Sequence, residues 1–500
     1  MPSNVRTRST LIMSSSRPSK RRGGANGADD PAAQARRAAF KEETRRLRES
    51  QPSRAVYGPE SPLAPPLTPL ERRAGAAAGS ASAARLAQVV GSGRPICVTG
   101  ATGYVAGHIV KRLLAAGHTV HGTCRSPDDA RSTAHLRALP GAPQRLHLFR
   151  ADLLKDSNGA AFDDALRGCG ALIHTASPYS VDVRSRREAD RMIATAEQGT
   201  EVVLRAAQRC PTIERVVVTA SSVTVFGDAH ERGKAHVFTD ADWNMIADRD
   251  KYPYYYSKVA AERRAWAIEA EVLGGGGGGG GSSGRSNGAA SAQWNLVTVH
   301  PPAVWGPPIS ARRDGESVEQ AIDLLSGKLW PWAPQLGVGV VDARDAALAH
   351  CAAALAPRAH GRYLINAQSC ELMSYAARLL RRAYPSMPVP VLTKPPRTPL
   401  LLFGPLLGLP RPMMRALYRK VPRIDVSRAA EDLGLREYFK LDDTILDMAA
   451  AVVGRGMVVK PAWRQTAVGK MAVCVVLPAL TVLFGLLALL GRVVSSRLSL

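Results

Sequence analysis

Residues 94–114 constrain the fold of this chain more than any other stretch. Residues 94–99 form a short apolar run, and Gly100, Gly103 and Ala106 follow it at three-residue spacing. His108-Ile109-Val110-Lys111-Arg112-Leu113-Leu114 then continues with the spacing of an amphipathic helix. A strand, a glycine turn and a helix in that order make a phosphate cradle. Gly100 permits the tight turn, and Gly103 lets the backbone approach a pyrophosphate seated on the free N–H groups of the helix. Ala106 stands where a third small residue lets the helix pack closely on the strand.

The following segments extend the pattern. Thr119–Cys124 reads as a second strand with Arg125 at its end. An acid at that place would hold a ribose 2′-hydroxyl, whereas an arginine suits a 2′-phosphate, so NADP(H) is expected over NAD(H). Arg131 is either a second phosphate contact or a solvated helix charge. A third strand over 145–149 leads to Asp152-Leu153, where the carboxylate can meet adenine. A fourth, Ala171–His174, ends at Thr175-Ala176-Ser177-Pro178, whose small residues let a cofactor lie close.

Val216-Val217-Val218-Thr219 is a β-branched run suited to a buried parallel strand, and it ends at Ala220-Ser221-Ser222. A hydroxyl at that end faces the ligand crevice of an open α/β sheet. Tyr254 and Lys258 are four apart on a helix expected over 254–270, so they share a face. A phenol is a weak acid near neutrality, and a nearby ammonium lowers its pKa. The expected roles are Tyr254 as proton donor to a carbonyl oxygen, Lys258 as its tuning cation and ribose ligand, and Ser222 as the hydrogen-bond donor that fixes the oxygen.

These residues resemble the extended short-chain dehydrogenase/reductase superfamily over 94 to about 360. The similarity is greatest to the dihydroflavonol reductase, cinnamoyl-CoA reductase and aldehyde reductase group. It is carried by Val98–Tyr104, Thr123-Cys124-Arg125-Ser126-Pro127, Leu139-Pro140-Gly141-Ala142, His174–Pro178, Tyr254 with Lys258, His300–Pro307 and Val341–His350. The resemblance implies a doubly wound (Rossmann) α/β fold with a parallel sheet and a smaller C-terminal substrate lobe, built mainly after residue 300. Ile424 to about 440 resembles part of that lobe. It implies that NADP(H) meets Gly100, Thr102, Gly103, Tyr104 and Val105, then Arg125, Asp152, Leu153, Thr175 and Ala176, and finally Tyr254, Lys258 and Pro301. It also aligns the triad serine with Ser222 rather than Ser221, and it allows a homodimer. Val223 and Thr224 stand where the superfamily's sugar-nucleotide dehydratases carry carboxylates, which argues against dehydration. The plant reductases' substrate-recognition residues have no clear counterpart here.

The remainder of the chain reads as appendages. Residues 1–90 carry 16 Lys/Arg against 7 Asp/Glu, rich in Ala, Ser, Gly and Pro, and form either a transit peptide or a disordered basic arm. The net charge of +24 comes with no stripe of basic residues interleaved with aromatics, so no nucleic-acid partner is expected. Seven cysteines without metal-like spacing point to a reducing compartment and no metal site. Gly274 to about 292 is read as a flexible surface insertion. Residues 399–410 are read as a substrate-lobe helix, with an interfacial patch as the alternative. Residues 471–491 hold no charge and are long enough to span a bilayer. They predict a transmembrane tail anchor, with the catalytic domain on the cytosolic face of the endoplasmic reticulum or a plastid or mitochondrial membrane.

The expected activity is a membrane-anchored, NADPH-dependent carbonyl reductase acting on a ketone or aldehyde, with a lipophilic substrate. A 3β-hydroxysteroid or sterol 4-carboxylate dehydrogenase is the rival enzyme, and Arg125 counts against it. A non-catalytic NADP sensor is the rival of another class, and the presence of both Tyr254 and Lys258 counts against that.

Overall fold

A seven-stranded sheet with the order β3-β2-β1-β4-β5-β6-β9 organises the molecule. Its strands are β1 (Ile96–Thr99), β2 (Val120–Cys124), β3 (Leu146–Arg150), β4 (Ala171–His174), β5 (Arg215–Thr219), β6 (Asn295–His300) and β9 (Gly361–Leu364). Every neighbouring pair in this sheet is parallel. The computed structural model describes residues 93–156, 158–177, 185–274, 294–313, 315–394 and 411–458. The N-terminal ninety residues, nearly all of the glycine insertion, 399–410 and the apolar run 471–491 lie outside them. Among the described residues no helix is long and apolar enough to cross a membrane.

Both faces of the sheet are covered, which is why its central strands β1, β4, β5 and β6 are largely buried on both sides. On one face lie α1 (Tyr104–Ala115) and a helix over Ala343–Leu355. They bury Ile109, Leu113, Ala346 and Ala353 against Val98, Ile173, Val217 and Val297. On the other lie α2 (Arg186–Arg209) and α3 (Pro253–Gly274), which bury Val203, Leu204, Ala265 and Ile268 against Cys97, Leu172, Val216 and Val218. The alternation of Val216, Val217 and Val218 between the two cores is the period-2 geometry of a strand.

The second lobe is a three-stranded sheet in the order β10-β8-β7, from β7 (Ala303–Trp305), β8 (Gly337–Asp342) and β10 (Gln368–Glu371). Helices α4 (Glu316–Ser326), α5 (Leu372–Ala383) and α6 (Leu441–Gly454) pack on it around Trp305, Leu324, Leu380 and Met448. The chain after residue 300 is shared between the lobes. Residues 343–364 return to the main sheet, where they supply a covering helix and the edge strand β9. Residues before 300 reach the C-terminal segment in turn. Phe238 N–H donates to Arg423 O at 2.8 Å, and Asp425 N–H donates to Phe238 O at 2.9 Å.

Candidate active site

The strand order reverses between β1 and β4, and ligands of open α/β sheets bind in the crevice at that point, beyond the carboxyl ends of the strands. Here Thr99 stitches the two strand ends together. Its Oγ1 is bonded to His174 Nδ1 at 2.8 Å and accepts from the N–H groups of Thr175 and Ala176, each at 3.2 Å. Thr175 Oγ1 donates back to Thr99 O at 2.6 Å. Gly100 turns the chain at φ +63°, and a Cβ there would come within 3.1 Å of Ala176 Cβ. A Cβ on Gly103 would stand 3.1 Å from Gly100 O. Helix α1 begins at Tyr104 with no side-chain cap and no acid in its first turn. Its first N–H groups therefore face the crevice uncapped, and the residues present fit the pyrophosphate of a dinucleotide.

The other expected cofactor residues surround this turn. Arg125 is exposed just past the end of β2, with no acidic partner among the described residues. Asp152 Oδ1 accepts from Leu154 N–H at 3.0 Å, so one carboxylate oxygen holds the loop. Leu153 packs against Gly199 of α2. Thr102 accepts from Arg312 through both O and Oγ1, at 3.3 Å each. Tyr104 Oη donates to Gly306 O at 2.6 Å.

A cavity of about 920 Å³ runs from the start of α1 into the second lobe. Gly103, Tyr104, Val105, Thr175, Ser221, Ser222, Tyr254, Lys258 and Pro301 all line it. Gly100, Thr102, Arg125, Asp152, Leu153 and Ala176 stand outside its wall. Pro253 opens α3, its missing N–H costing nothing at a helix start, and the four-residue spacing of Tyr254 and Lys258 puts them on one face.

The hydroxyl hydrogen-bonded to the Tyr254 phenol is that of Ser221, while Ser222, the serine to which the resemblance points, lines the same cavity. Ser221 continues β5 in extended backbone, at φ −160° and ψ 153°. The chain first turns at Ser222, which is buried and donates its N–H to Pro301 O at 3.0 Å. Ser221→Ala is therefore expected to lower kcat about 10²-fold, the usual cost of one donor to a developing oxyanion, and Ser222→Ala much less. Steady-state kinetics of the two variants side by side checks this.

Electrostatics also departs from expectation at Tyr254. Burial pushes the phenol well above its ordinary value, and the hydrogen bond from Ser221 opposes this without prevailing. Lys258 Nζ donates to Ser177 Oγ at 2.8 Å and sits 5.7 Å from the centre of the Tyr254 ring. The phenol is thus protonated at neutral pH, the state a proton donor needs. Burial pulls Lys258 down to about 8. Its ammonium is present below that pH and discharged above it. The kcat/KM of the free enzyme is expected to fall as pH rises through about 8, and Lys258→Arg is expected to remove that limb, since arginine stays charged. A kcat/KM profile from pH about 6 to 10 tests the assignment.

A buried polar cluster that the sequence reading did not find supports the serine turn. Glu262 lies one turn beyond Lys258 on α3, and its Oε1 accepts from Arg362 Nε of β9 at 2.7 Å. Arg362 also donates to the carbonyls of Asp240 and Asp242, at 2.7 and 2.6 Å, and stacks 4.0 Å from the Trp243 ring. Thr224 Oγ1 is bonded to His300 Nδ1 at 2.9 Å and donates to Ser221 O, also at 2.9 Å. The signal available in the sequence was a lone arginine inside the strand-like run Gly361–Leu364 and Glu262, one of three acids on the helix that carries Tyr254.

Residues 96–324 match the NAD dependent epimerase/dehydratase family. The chain is 34% identical over 310 residues to cinnamoyl-CoA reductase 1 of Arabidopsis thaliana, covering 62% of this chain and 80% of that one. It is 31% identical over 297 residues to dihydroflavonol 4-reductase of Zea mays, covering 59% and 76%. Among solved structures it resembles the yeast methylglyoxal/isovaleraldehyde reductase Gre2 complexed with NADPH, with TM-score 0.56 and 22% identity over 73% of this chain and 100% of that one, a likeness of fold. Gre2 of Candida albicans in complex with NADPH matches at TM-score 0.54 and 25% identity, over 72% and 99%. With its parallel sheet, its glycine turn at the switch point and these relatives, the chain belongs to the NAD dependent epimerase/dehydratase family of extended short-chain dehydrogenases/reductases, in the group of the cinnamoyl-CoA and dihydroflavonol reductases.

Proposed function

We infer that this chain is an NADPH-dependent carbonyl reductase held at a membrane. One observation carries the reading: the Tyr254 phenol, bonded to Ser221, shares a cavity with Lys258 and with the uncapped start of α1. Relatives whose names make them reductases of cinnamoyl-CoA and dihydroflavonols support a carbonyl substrate, and Arg125 supports the 2′-phosphate. NADPH, when bound, supplies the hydride that reaches the carbonyl carbon. The chain supplies the rest. Ser221 positions the carbonyl oxygen, Tyr254 Oη gives that oxygen its proton, and Lys258 offers an ammonium to the ribose hydroxyls and to the negative charge left on the Tyr254 phenolate. The product is the alcohol, and the phenolate regains its proton from solvent.

The cavity wall contains Val223, Phe226, Leu336, Val338, Met373 and Leu417, which suits a lipophilic ketone or aldehyde. The apolar run 471–491 supports an anchor, with the reductase on the cytosolic face of the endoplasmic reticulum.

The test is NADPH oxidation by the full chain in detergent against soluble aldehydes, flavonoid ketones and 3-ketosteroids. Turnover of the apolar ketones is expected. Tight NADPH binding with no turnover of any of them would overturn the reductase reading. Turnover of small soluble aldehydes alone would overturn the lipophilic substrate. The full chain is also expected to sediment with membranes under alkaline carbonate, and its release to the supernatant would overturn the anchor.

A further inference from the structure

The segment 306–313 straps the lobe that follows β7 onto the first half of α1. Tyr104 Oη donates to Gly306 O at 2.6 Å. His108, which burial pulls down to about 4 and so keeps neutral, donates through Nε2 to Pro307 O at 3.0 Å. Ile309 fills the notch left by Gly107, where a Cβ would come within 2.7 Å of Ile309 Cδ1. The strap then delivers Arg312, whose Nη1 donates to Thr102 O and Oγ1 at 3.3 Å each and whose side chain lines the cavity. A guanidinium is thereby fastened to the glycine turn, beside the positive end of a helix that has no acid in its first turn. Two positive fields converge on one place, and an anion seated there is attracted by both.

We propose that Arg312 is a cofactor-binding residue, contributed by the strap, that contacts the pyrophosphate lying on the Gly100–Gly103 turn. This rests on the reading of that turn as the NADP(H) cradle. Its strap partners Tyr104, Gly107 and His108 hold the arginine in register with the turn, so the segment after β7 and the nucleotide stabilise each other's placement.

The two nucleotides distinguish the possibilities, because NADPH and NADH share the pyrophosphate and differ only at the 2′-position. In full-chain protein, Arg312→Gln is expected to weaken NADPH and NADH by the same factor, about 10-fold or more, the usual loss of a hydrogen bond to a charged group. Arg125→Gln is expected to weaken NADPH alone. Arg312→Lys, which keeps the charge, is expected to recover part of the loss, and the salt dependence of NADPH affinity is expected to be shallower in Arg312→Gln than in the parent. Unchanged affinities in Arg312→Gln would overturn the proposal. So would a loss confined to NADPH, which would put the guanidinium on the 2′-phosphate, or a loss confined to substrate KM, which would put it on a substrate anion. A parent chain that binds neither nucleotide would instead overturn the cofactor reading itself.

Discussion

Tyr254→Phe is expected to lower kcat by about 10²- to 10⁴-fold, the span that positioned proton transfer supplies, while changing the Kd for NADPH about twofold at most. The phenyl ring keeps the packing at the start of α3, and the substitution removes only the hydroxyl that Ser221 meets. Because burial holds the phenol well above its ordinary value, Tyr254 stays protonated throughout the neutral and mildly alkaline range. The alkaline limb of the activity profile therefore belongs to Lys258, near pH 8, and not to Tyr254. Two measurements check the whole account: single-turnover NADPH oxidation of the variant, and its pH profile. Equal loss in kcat and in nucleotide affinity would mean that the ring holds the cofactor rather than donating the proton. Undiminished turnover would remove Tyr254 from the chemistry.

The parts of this site that were legible in the sequence are those whose geometry is local. Gly100 announces itself because it turns at φ +63° where a Cβ would stand 3.1 Å from Ala176 Cβ, Gly103 because a Cβ there would stand 3.1 Å from Gly100 O, and the strand and helix around them follow from a few residues of periodicity. Tyr254 and Lys258 are likewise a matter of one helical turn, and the helix begins at the proline beside them. Which of Ser221 and Ser222 bonds to the Tyr254 phenol was not legible, because it depends on the residue at which β5 yields to the next turn. That is set by the bond from Ser222 N–H to Pro301 O, about eighty positions away in sequence. The return of 343–364 to the main sheet was hidden for a similar reason. An edge strand of four residues, Gly-Arg-Tyr-Leu, reads the same in either lobe until its pairing with β6 is known. The Arg362–Glu262 contact joins residues a hundred positions apart, and no local rule connects them.

That contact supports the largest expected stability effect. Side-chain exposure is 9% at Arg362 and 1% at Glu262, so neither charge is served by solvent. Burial alone would raise the Glu262 carboxyl, but His300 and the Arg362 guanidinium outweigh it and hold the carboxyl below its ordinary value. Arg362→Met keeps most of the volume and removes the cation. A buried carboxylate left without its partner costs about 3–5 kcal/mol, which for the roughly 320 described residues at about 2.1 cal/mol/K of unfolding entropy each is a fall in Tm of about 4–7 °C. The dependence on pH follows from the sign of the shifts. In the parent chain the lowered carboxyl contributes stability above the unfolded pKa, about 4.3, and loses it as pH falls through the folded value. In Arg362→Met the guanidinium is gone while burial, His300 and the Thr224 hydroxyl remain, so the folded pKa rises above the parent's and part of the stability that the parent shows above the unfolded value is lost. The gap between the two proteins is therefore widest at neutral pH and narrows towards pH about 4. Replacing both residues by methionine is expected to recover much of the loss, since no charge is then stranded. Thermal unfolding of the three proteins at both pH values decides it. A gap that does not narrow on acidification would show that Arg362 acts through its bonds to the Asp240 and Asp242 carbonyls and its stacking on Trp243, and not through the charge of Glu262.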